Sequence, residues 1–152
     1  GQTEHMEELI ERRVEVGELF KEAVGDCAWL IPQVTPTGYT NSYWAFAARL
    51  THPSISWTTF RTRFMELGGD CIYAAWKRSY LEPMFQTMDL SGKERVIEAT
   101  YTGELQAWAP GLCPVAEKVQ KQILAFKTNY WDWERALAQA DVLKRTIASF
   151  ES

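Results

Sequence analysis

The first segment of the chain mixes apolar and charged residues with the spacing of a helix. From Glu4 to Val24, apolar side chains recur at steps of three and four residues, with Glu and Arg between them. This period places the apolar side chains on one face of an α-helix. Gly25 is well suited to end it, since glycine commonly follows the last helical residue. The pattern therefore predicts a long amphipathic helix.

Short apolar runs farther along the chain predict strands. Trp29 to Ile31 is an apolar run stopped by Pro32, and a turn follows it. Tyr39 to Leu50 is rich in aromatic and small residues, which is typical of a buried strand. Residues 71–75 and the "LAFK" sequence at 124–127 predict two further short strands.

Helix signals separate these runs. Ser56 is expected to cap a helix over about residues 57–67. Pro114 suits the first turn of another helix, with Cys113 at its cap. A final helix is expected over about residues 132–150. Its predicted apolar stripe consists of Ala136, Leu137, Ala140, Leu143 and Ile147.

Together these elements predict an α+β fold in one domain, residues 1–152. We expect a small mixed or antiparallel sheet of about three strands, with helices packed mainly on one face and long helices at both ends. Residues 86–111 have weak periodicity and several turn signals, so they are interpreted as an irregular excursion.

Composition and charge narrow the possible functions. The chain has 46% hydrophobic and 24% charged residues, which is the ordinary globular range. Its net charge is −4, and its basic residues are scattered rather than clustered, so nucleic acid is not an expected partner. The longest uncharged run, residues 27–48, contains Pro and Gly, and no membrane segment is expected.

The cysteines and histidines point to neither disulfides nor metals. Three widely spaced cysteines favour free, buried thiols in a reducing, cytoplasmic compartment. His5 and His52 lie far apart without metal-ligand spacing, so no metal site is expected. "SGKE" at 91–94 lacks the glycine and the hydroxyl residue of a phosphate loop, and no hydrolase nucleophile motif occurs.

One stretch, "GGDCIYAAWKRSYLEPMF" at residues 68–85, combines a cation pair with aromatic side chains. Lys77 and Arg78 could contact an anionic group of a ligand, with Tyr73, Trp76 and Tyr80 packed on a sugar or a base. The alternative is that both cations are solvated and lie over exposed rings. The residues alone leave both interpretations open.

Four stretches of the chain are similar, in order, to segments of one enzyme family. They are "EHMEELIERRVEVGELFKEAV", "YTNSYWAFAARL", "FRTRFMELGGDCIYAAWKRSYLEPMF" and "CPVAEKVQKQILAFKTNYWDWERALAQADVLKRTI". They resemble the C-terminal small domain of the DegT/DnrJ/EryC1/StrS sugar aminotransferases, which are fold-type I enzymes that use pyridoxal phosphate. The resemblance implies that residues 1–25 form a linking helix and residues 26–152 an α+β body.

The resemblance also implies a function for the full-length protein. Such an enzyme transfers an amino group, usually from glutamate, to a keto sugar that is commonly nucleotide-linked. Its large domain holds the cofactor lysine, so this chain would supply no catalytic or cofactor-binding residue and would be inactive alone. The implied partners are that large domain in the same polypeptide, a second copy in a homodimer and the sugar. The implied substrate-binding residues are Tyr73, Trp76, Lys77, Arg78 and Tyr80.

The chain departs from the family pattern in the segment that would contact the substrate. Many relatives carry a His and extra prolines where this chain has Trp76, Lys77 and Arg78. A Schiff-base role for Lys77 is rejected, because the surroundings that would orient a cofactor belong to the large domain.

The chain begins with Gly-Gln, so we expect a piece of a longer protein. The rival hypothesis is a stand-alone α+β module that binds a ligand or a protein.

Overall fold

The structure is a computed structural model that describes residues 2–83 and 109–151. The chain divides into two compact units, one formed by residues 1–75 with 121–152 and the other by residues 76–120. Most of the irregular excursion expected over residues 86–111 lies outside the described residues. The single domain expected over residues 1–152 stays a prediction.

The first unit contains a four-stranded sheet in the order β1-β2-β4-β3, and every neighbouring pair is antiparallel. The α+β class and the small sheet are thus confirmed, with four strands where about three were expected. Each of the four runs predicted as strands overlaps one, and the run that begins at Trp29 pairs at the edge of the sheet. The strands are β1 Leu30–Pro32, β2 Phe46–Leu50, β3 Ile72–Ala74 and β4 Ile123–Phe126.

Helices lie close to where the sequence predicts them. A 3₁₀ turn precedes the first, and a second 3₁₀ turn lies in the unit formed by residues 76–120. The helices are α1 Met6–Val24, α2 Trp57–Glu66, α3 Pro114–Gln120 and α4 Trp133–Ala148, and the 3₁₀ turns are Gln2–His5 and Ser79–Leu81.

Three of the helix ends follow the expected local chemistry. Gly25 ends α1 with a positive φ of 53°. The Ser56 hydroxyl accepts a hydrogen bond from the Thr59 N–H at 3.0 Å at the start of α2. The Asp132 carboxylate accepts from the Glu134 N–H, also at 3.0 Å, and begins α4. The side-chain oxygens of Ser56 and Asp132 accept from backbone N–H groups that have no acceptor within the helix itself.

The core of the first unit lies between one face of the sheet and the helices α1, α2 and α4. Along β2, Phe46, Ala48 and Leu50 are buried, whereas the alternate residues Ala47 and Arg49 are only partly covered. This alternation is the period of two that a one-sided sheet requires. Phenylalanines dominate the fully buried side chains, namely Phe20, Phe46, Phe60, Phe64 and Phe126. The prediction that helices cover mainly one face is confirmed for this unit.

The predicted strand from Tyr39 to Leu50 is wrong over its first half. Residues 39–45 form a loop, and only Phe46–Leu50 is extended. Tyr43 has a positive φ of 43°, which an extended strand cannot accommodate. Its backbone N–H donates instead to the side chain of Asn41 at 2.9 Å. Tyr43 and Trp44 therefore do not alternate with Phe46 on a strand.

Three side chains are more exposed than the sequence predicts. Leu137 was expected on the buried stripe of the last helix, yet it is 39% exposed, since it falls at the edge of the face that carries Ala136 and Ala140. Cys71 and Cys113 are free, as expected, but exposed rather than buried. Both lie in connections beside helices or strands rather than inside them.

Candidate functional site

The residues that the sequence singles out are distributed over both units. Tyr73 lies on β3 in the first unit, and its side chain is 54% exposed. Trp76, Lys77, Arg78 and Tyr80 lie in the second unit, in the segment that contains the 3₁₀ turn. The fold therefore keeps four of the five candidate residues together in one short segment.

Tyr80 is anchored to α3 through a carboxylate. Its hydroxyl donates to Oε1 of Glu117 at 2.6 Å, and the Gly111 backbone N–H donates to the same oxygen at 2.7 Å. These two hydrogen bonds lower the pKa of Glu117, and the one from Tyr80 has the larger effect. Desolvation, followed by the bond to Glu117, raises the pKa of Tyr80. Tyr80 thus stays protonated and fixed, a role in positioning the segment.

Trp76 presents a broad exposed ring beside this anchor. Its indole is 79% exposed, while its backbone carbonyl accepts a hydrogen bond from the Gln120 side chain at the end of α3. The main chain is held and the ring is presented outward. An exposed indole on a fixed backbone is suited to stacking on a ring of a ligand or to a contact with another protein surface.

Lys77 and Arg78 differ sharply in their surroundings. Nζ of Lys77 lies 3.9 Å from Oε2 of Glu82, and both side chains are about half exposed. The Nε and Nη1 atoms of Arg78 are buried, and neither has a hydrogen-bond partner among the described residues. Buried donors of a charged group are costly to leave unsatisfied. Arg78 is therefore the candidate residue with open capacity for an anionic group.

The described residues do not fit a resident pyridoxal phosphate. A lysine that holds this cofactor needs an enclosed site and an acidic partner for the pyridine nitrogen. Lys77 instead is half exposed and paired with Glu82. No step of a reaction is therefore assigned to this lysine.

The first unit contains a cleft that the sequence did not predict. It has a volume of about 530 Å³ and lies between α1 and residues 31–43. The buried Tyr43 ring packs directly against the backbone of α1, where a side chain at Gly17 would have its Cβ 2.5 Å from the ring. The phenol donates to Oε1 of Glu18 at 2.8 Å. The positive φ of Tyr43 marks this site, but composition and periodicity do not reveal a backbone angle. The cleft could therefore not be predicted from those patterns.

Polar groups of the cleft are arranged around Tyr43. Two hydrogen bonds lower the pKa of Glu18. The larger effect comes from the Tyr43 phenol and the smaller from Nζ of Lys21 at 3.1 Å. Burial, followed by Glu18, raises the pKa of Tyr43. Asn41 accepts from the Tyr43 N–H through Oδ1, and its Nδ2 is buried without a hydrogen-bond partner among the described residues. The cleft thus holds a fixed carboxylate and an open amide donor.

The described residues contain neither a cluster of metal ligands nor a helix able to cross a bilayer. Within residues 2–83 and 109–151, no group of three or more His, Cys, Asp or Glu side chains is placed to hold a metal ion. None of the helices in that part of the chain combines the length and the apolar character that crossing a bilayer requires.

Comparison with known proteins gives matches in structure only. No protein-family model matches the sequence, and no curated protein matches it either. The aminotransferase TlmJ from Streptoalloteichus hindustanus matches 99% of this chain over 35% of its own, with a TM-score of 0.69 and 16% identity. Helicobacter pylori PseC, an aminotransferase of pseudoaminic acid biosynthesis, matches 98% over 35%, with a TM-score of 0.66 and 14% identity.

A third match carries the family name that the sequence resemblance gave. A DegT DnrJ EryC1 StrS aminotransferase from Brucella abortus is matched by 97% of this chain over 32% of its own, with a TM-score of 0.64 and 17% identity. The chain thus spans about a third of the length of these enzymes. The resemblance predicted from the sequence is confirmed as one of fold: this chain has the fold of one domain of the sugar aminotransferases.

Proposed function

We propose that this chain is the C-terminal, substrate-side domain of an aminotransferase that uses pyridoxal phosphate. The observation that carries the proposal is the match of nearly the whole chain to about a third of several aminotransferases. The remaining two thirds of such an enzyme would hold the cofactor, which supplies the amino-group transfer chemistry when bound. Joined to that large domain in a cytoplasmic homodimer, the chain would help to select the acceptor.

The acceptor in this proposal is a keto sugar with an anionic, nucleotide-linked group, and glutamate is the amino donor. Arg78 supports an anionic acceptor, since two of its buried N–H groups lack partners among the described residues. Trp76 supports a ring, because its indole is largely exposed on a held backbone. Tyr80 fixes the segment through Glu117, and Tyr73 and Lys77 complete the set of proposed substrate-binding residues.

The test begins with the coding sequence upstream of residue 1. If that sequence encodes a large domain with a pyridoxal lysine, the full-length protein should form 2-oxoglutarate from glutamate in the presence of a nucleotide-linked keto sugar. Absence of such a domain would remove the enzyme from the proposal. Absence of 2-oxoglutarate with every acceptor tried would contradict glutamate as donor or the sugar as acceptor.

Arg78 gives the residue-level test in the full-length protein. Arg78→Gln should raise KM for the sugar substrate about 10- to 100-fold, since a charge-assisted hydrogen bond contributes about 1.5–3 kcal/mol. The matched control is Lys118→Gln, which removes an exposed cation from α3 in the same unit and should leave KM unchanged. An equal effect of both substitutions would indicate a general loss of charge rather than a contact at Arg78.

The second candidate function is a stand-alone module that binds a ligand without any other domain. One observation favours it: the cleft between α1 and residues 31–43 is lined entirely by the first unit. Ligand binding by this chain, combined with the absence of an upstream large domain, would favour the module over the enzyme domain.

A further inference from the structure

The cleft between α1 and residues 31–43 contains an unused hydrogen-bond donor. Oδ1 of Asn41 accepts from the Tyr43 N–H at 2.9 Å, so the amide orientation is fixed and Nδ2 is the donor end. Nδ2 is buried and has no hydrogen-bond partner among the described residues. A buried amide donor without an acceptor is unfavourable. An oxygen atom of a ligand would satisfy it.

Glu18 supplies acceptors in the same cleft. Its carboxylate offers about four lone-pair positions. Tyr43 donates to one oxygen at 2.8 Å, and Lys21 donates to the other at 3.1 Å. The positions that remain can accept hydrogen bonds from a ligand. A matching group must therefore accept from an amide and donate to a carboxylate, and a hydroxyl group does both.

Charge in the cleft disfavours an anionic ligand. Glu18 and Lys21 are the two charged residues that line it, and they are paired with each other. No further cation among the lining residues is available for a phosphate or a carboxylate. A neutral ligand with several hydroxyl groups fits this balance better than an anion does.

The wall of the cleft adds an apolar surface of suitable shape. Tyr39 is 75% exposed, Val34 is 78% exposed and Ile31 lies beside them along the lining. The C–H face of a pyranose ring packs on such surfaces, and aromatic side chains contribute large contact area. The volume of about 530 Å³ accommodates a sugar.

Tyr43 holds the polar groups of the cleft in place. Its positive φ is unusual for a bulky residue, and such strained positions cluster at functional sites. Its carbonyl accepts from the buried Thr128 hydroxyl at 2.6 Å, while Asn41 and Glu18 hold its N–H and its phenol. A site fixed in this way loses little conformational freedom when a ligand binds.

We propose that this cleft is a carbohydrate-binding site for a neutral pyranose ring, with Asn41 and Glu18 bonded to neighbouring hydroxyls and Tyr39 packed on the ring face. The proposal goes beyond the proposed function, because binding would occur in this chain alone, without a cofactor or another domain.

The test is a titration of the ¹⁵N-labelled chain with methyl β-glucopyranoside, observed by NMR. The side-chain amide resonance of Asn41 should shift and saturate. Asn41→Asp keeps the acceptor for the Tyr43 N–H and removes the donor, so it should weaken binding about 10-fold or more. Tyr39→Ala should weaken binding about 10-fold through the lost ring contact.

Controls separate this site from weaker explanations. Trp131→Ala removes a ring that is 72% exposed outside the cleft and should leave the affinity unchanged. A saturable shift with inorganic phosphate but not with the pyranoside would overturn the proposal in favour of an anion site. No saturable shift with either probe would mean that Asn41 bonds only to water, which also overturns it. Pyranoside binding without transamination by the full-length protein would contradict the proposed function and leave this site intact.

Discussion

At the scale of single residues, Tyr43 shows how several weak constraints fix one unfavourable conformation. A positive φ costs a bulky residue of order 1–3 kcal/mol. Three hydrogen bonds hold Tyr43 in this conformation. Its N–H and its phenol donate to Asn41 and Glu18, and its carbonyl accepts from Thr128. The absence of a side chain at Gly17 gives its ring room against α1. Neighbours distant in sequence thus override the extended preference of an aromatic segment.

Tyr43→Phe should lower the free energy of unfolding by about 1 kcal/mol, as measured by urea denaturation. The substitution removes the bond from the phenol to Glu18, a bond to a charged group. The value lies below the usual range for such bonds because Glu18 is about half exposed. Tyr39→Phe is the control, since that ring is largely exposed, and it should change stability by less than about 0.5 kcal/mol. Equal effects of the two substitutions would contradict the role of the Glu18 bond.

Gly17→Ala should destabilise the chain although alanine favours helices. The gain in helix propensity is about 1 kcal/mol. The new Cβ would lie 2.5 Å from the base of the Tyr43 ring, and overpacking of this kind costs about 1–3 kcal/mol. In a Tyr43→Ala background the clash is gone, so the same change should become neutral or stabilising. A double-mutant cycle measures this reversal, and additive effects would refute the contact.

At the scale of elements, the ends of the helices were predictable because their chemistry is local. Ser56 and Asp132 cap their helices through neighbouring N–H groups, and Gly25 follows α1. The start of β2 was not predictable, because residues 39–45 have the composition of a strand. Their loop conformation depends on Thr128, which lies 85 residues from Tyr43. Composition carries no record of such a contact.

Ser56→Ala should lower the free energy of unfolding by about 1 kcal/mol. The substitution leaves the Thr59 N–H without its acceptor at the start of α2. Ser56→Asp restores an acceptor and adds a negative charge at the helix N-terminus, so it should recover the lost stability. Thermal unfolding followed by circular dichroism measures both changes. Failure of Asp to recover stability would indicate that the capping bond is not the cause.

At the scale of the whole molecule, the sequence supplied the fold class and a family resemblance but not the cleft. The segment that carries Trp76, Lys77, Arg78 and Tyr80 was visible because these four residues lie within five positions of the sequence. In the cleft, Tyr43 connects Glu18 on α1 to Asn41 in a loop, through its phenol on one side and its backbone N–H on the other. Such a site exists only after the chain has folded, so no local pattern announces it. Arg78 was visible as a cation, whereas the burial of its donors without a partner among the described residues was not.

The polar network around Tyr130 predicts alkaline sensitivity. Its phenol donates to Asp70 at 2.9 Å, and burial followed by that carboxylate raises the pKa of Tyr130 above its ordinary value of 10.0. A raised folded pKa contributes stability below the unfolded pKa and loses it as pH rises toward the folded value. The free energy of unfolding should therefore fall by about 1.4 kcal/mol per pH unit above about pH 10 from this residue.

Urea denaturation as a function of pH measures this loss. Tyr130→Phe should be less stable at neutral pH, because the bond to Asp70 is gone. Its stability should fall less steeply above pH 10 than that of the parent chain, because one tyrosine no longer titrates. An unchanged alkaline slope would contradict the raised pKa of Tyr130.

The strand order has a consequence for synthesis on the ribosome. β4 is the only described strand that pairs with β3, and it also pairs with β2, yet it is made after both. A nascent chain that has emerged only as far as residue 120 can form the β1–β2 hairpin alone. Its phenylalanines would then lack their shared partner Phe126 and remain available to chaperones. Completion of the core thus waits until β4 and α4 have emerged, so the earlier strands expose apolar surface during the synthesis of the intervening segment.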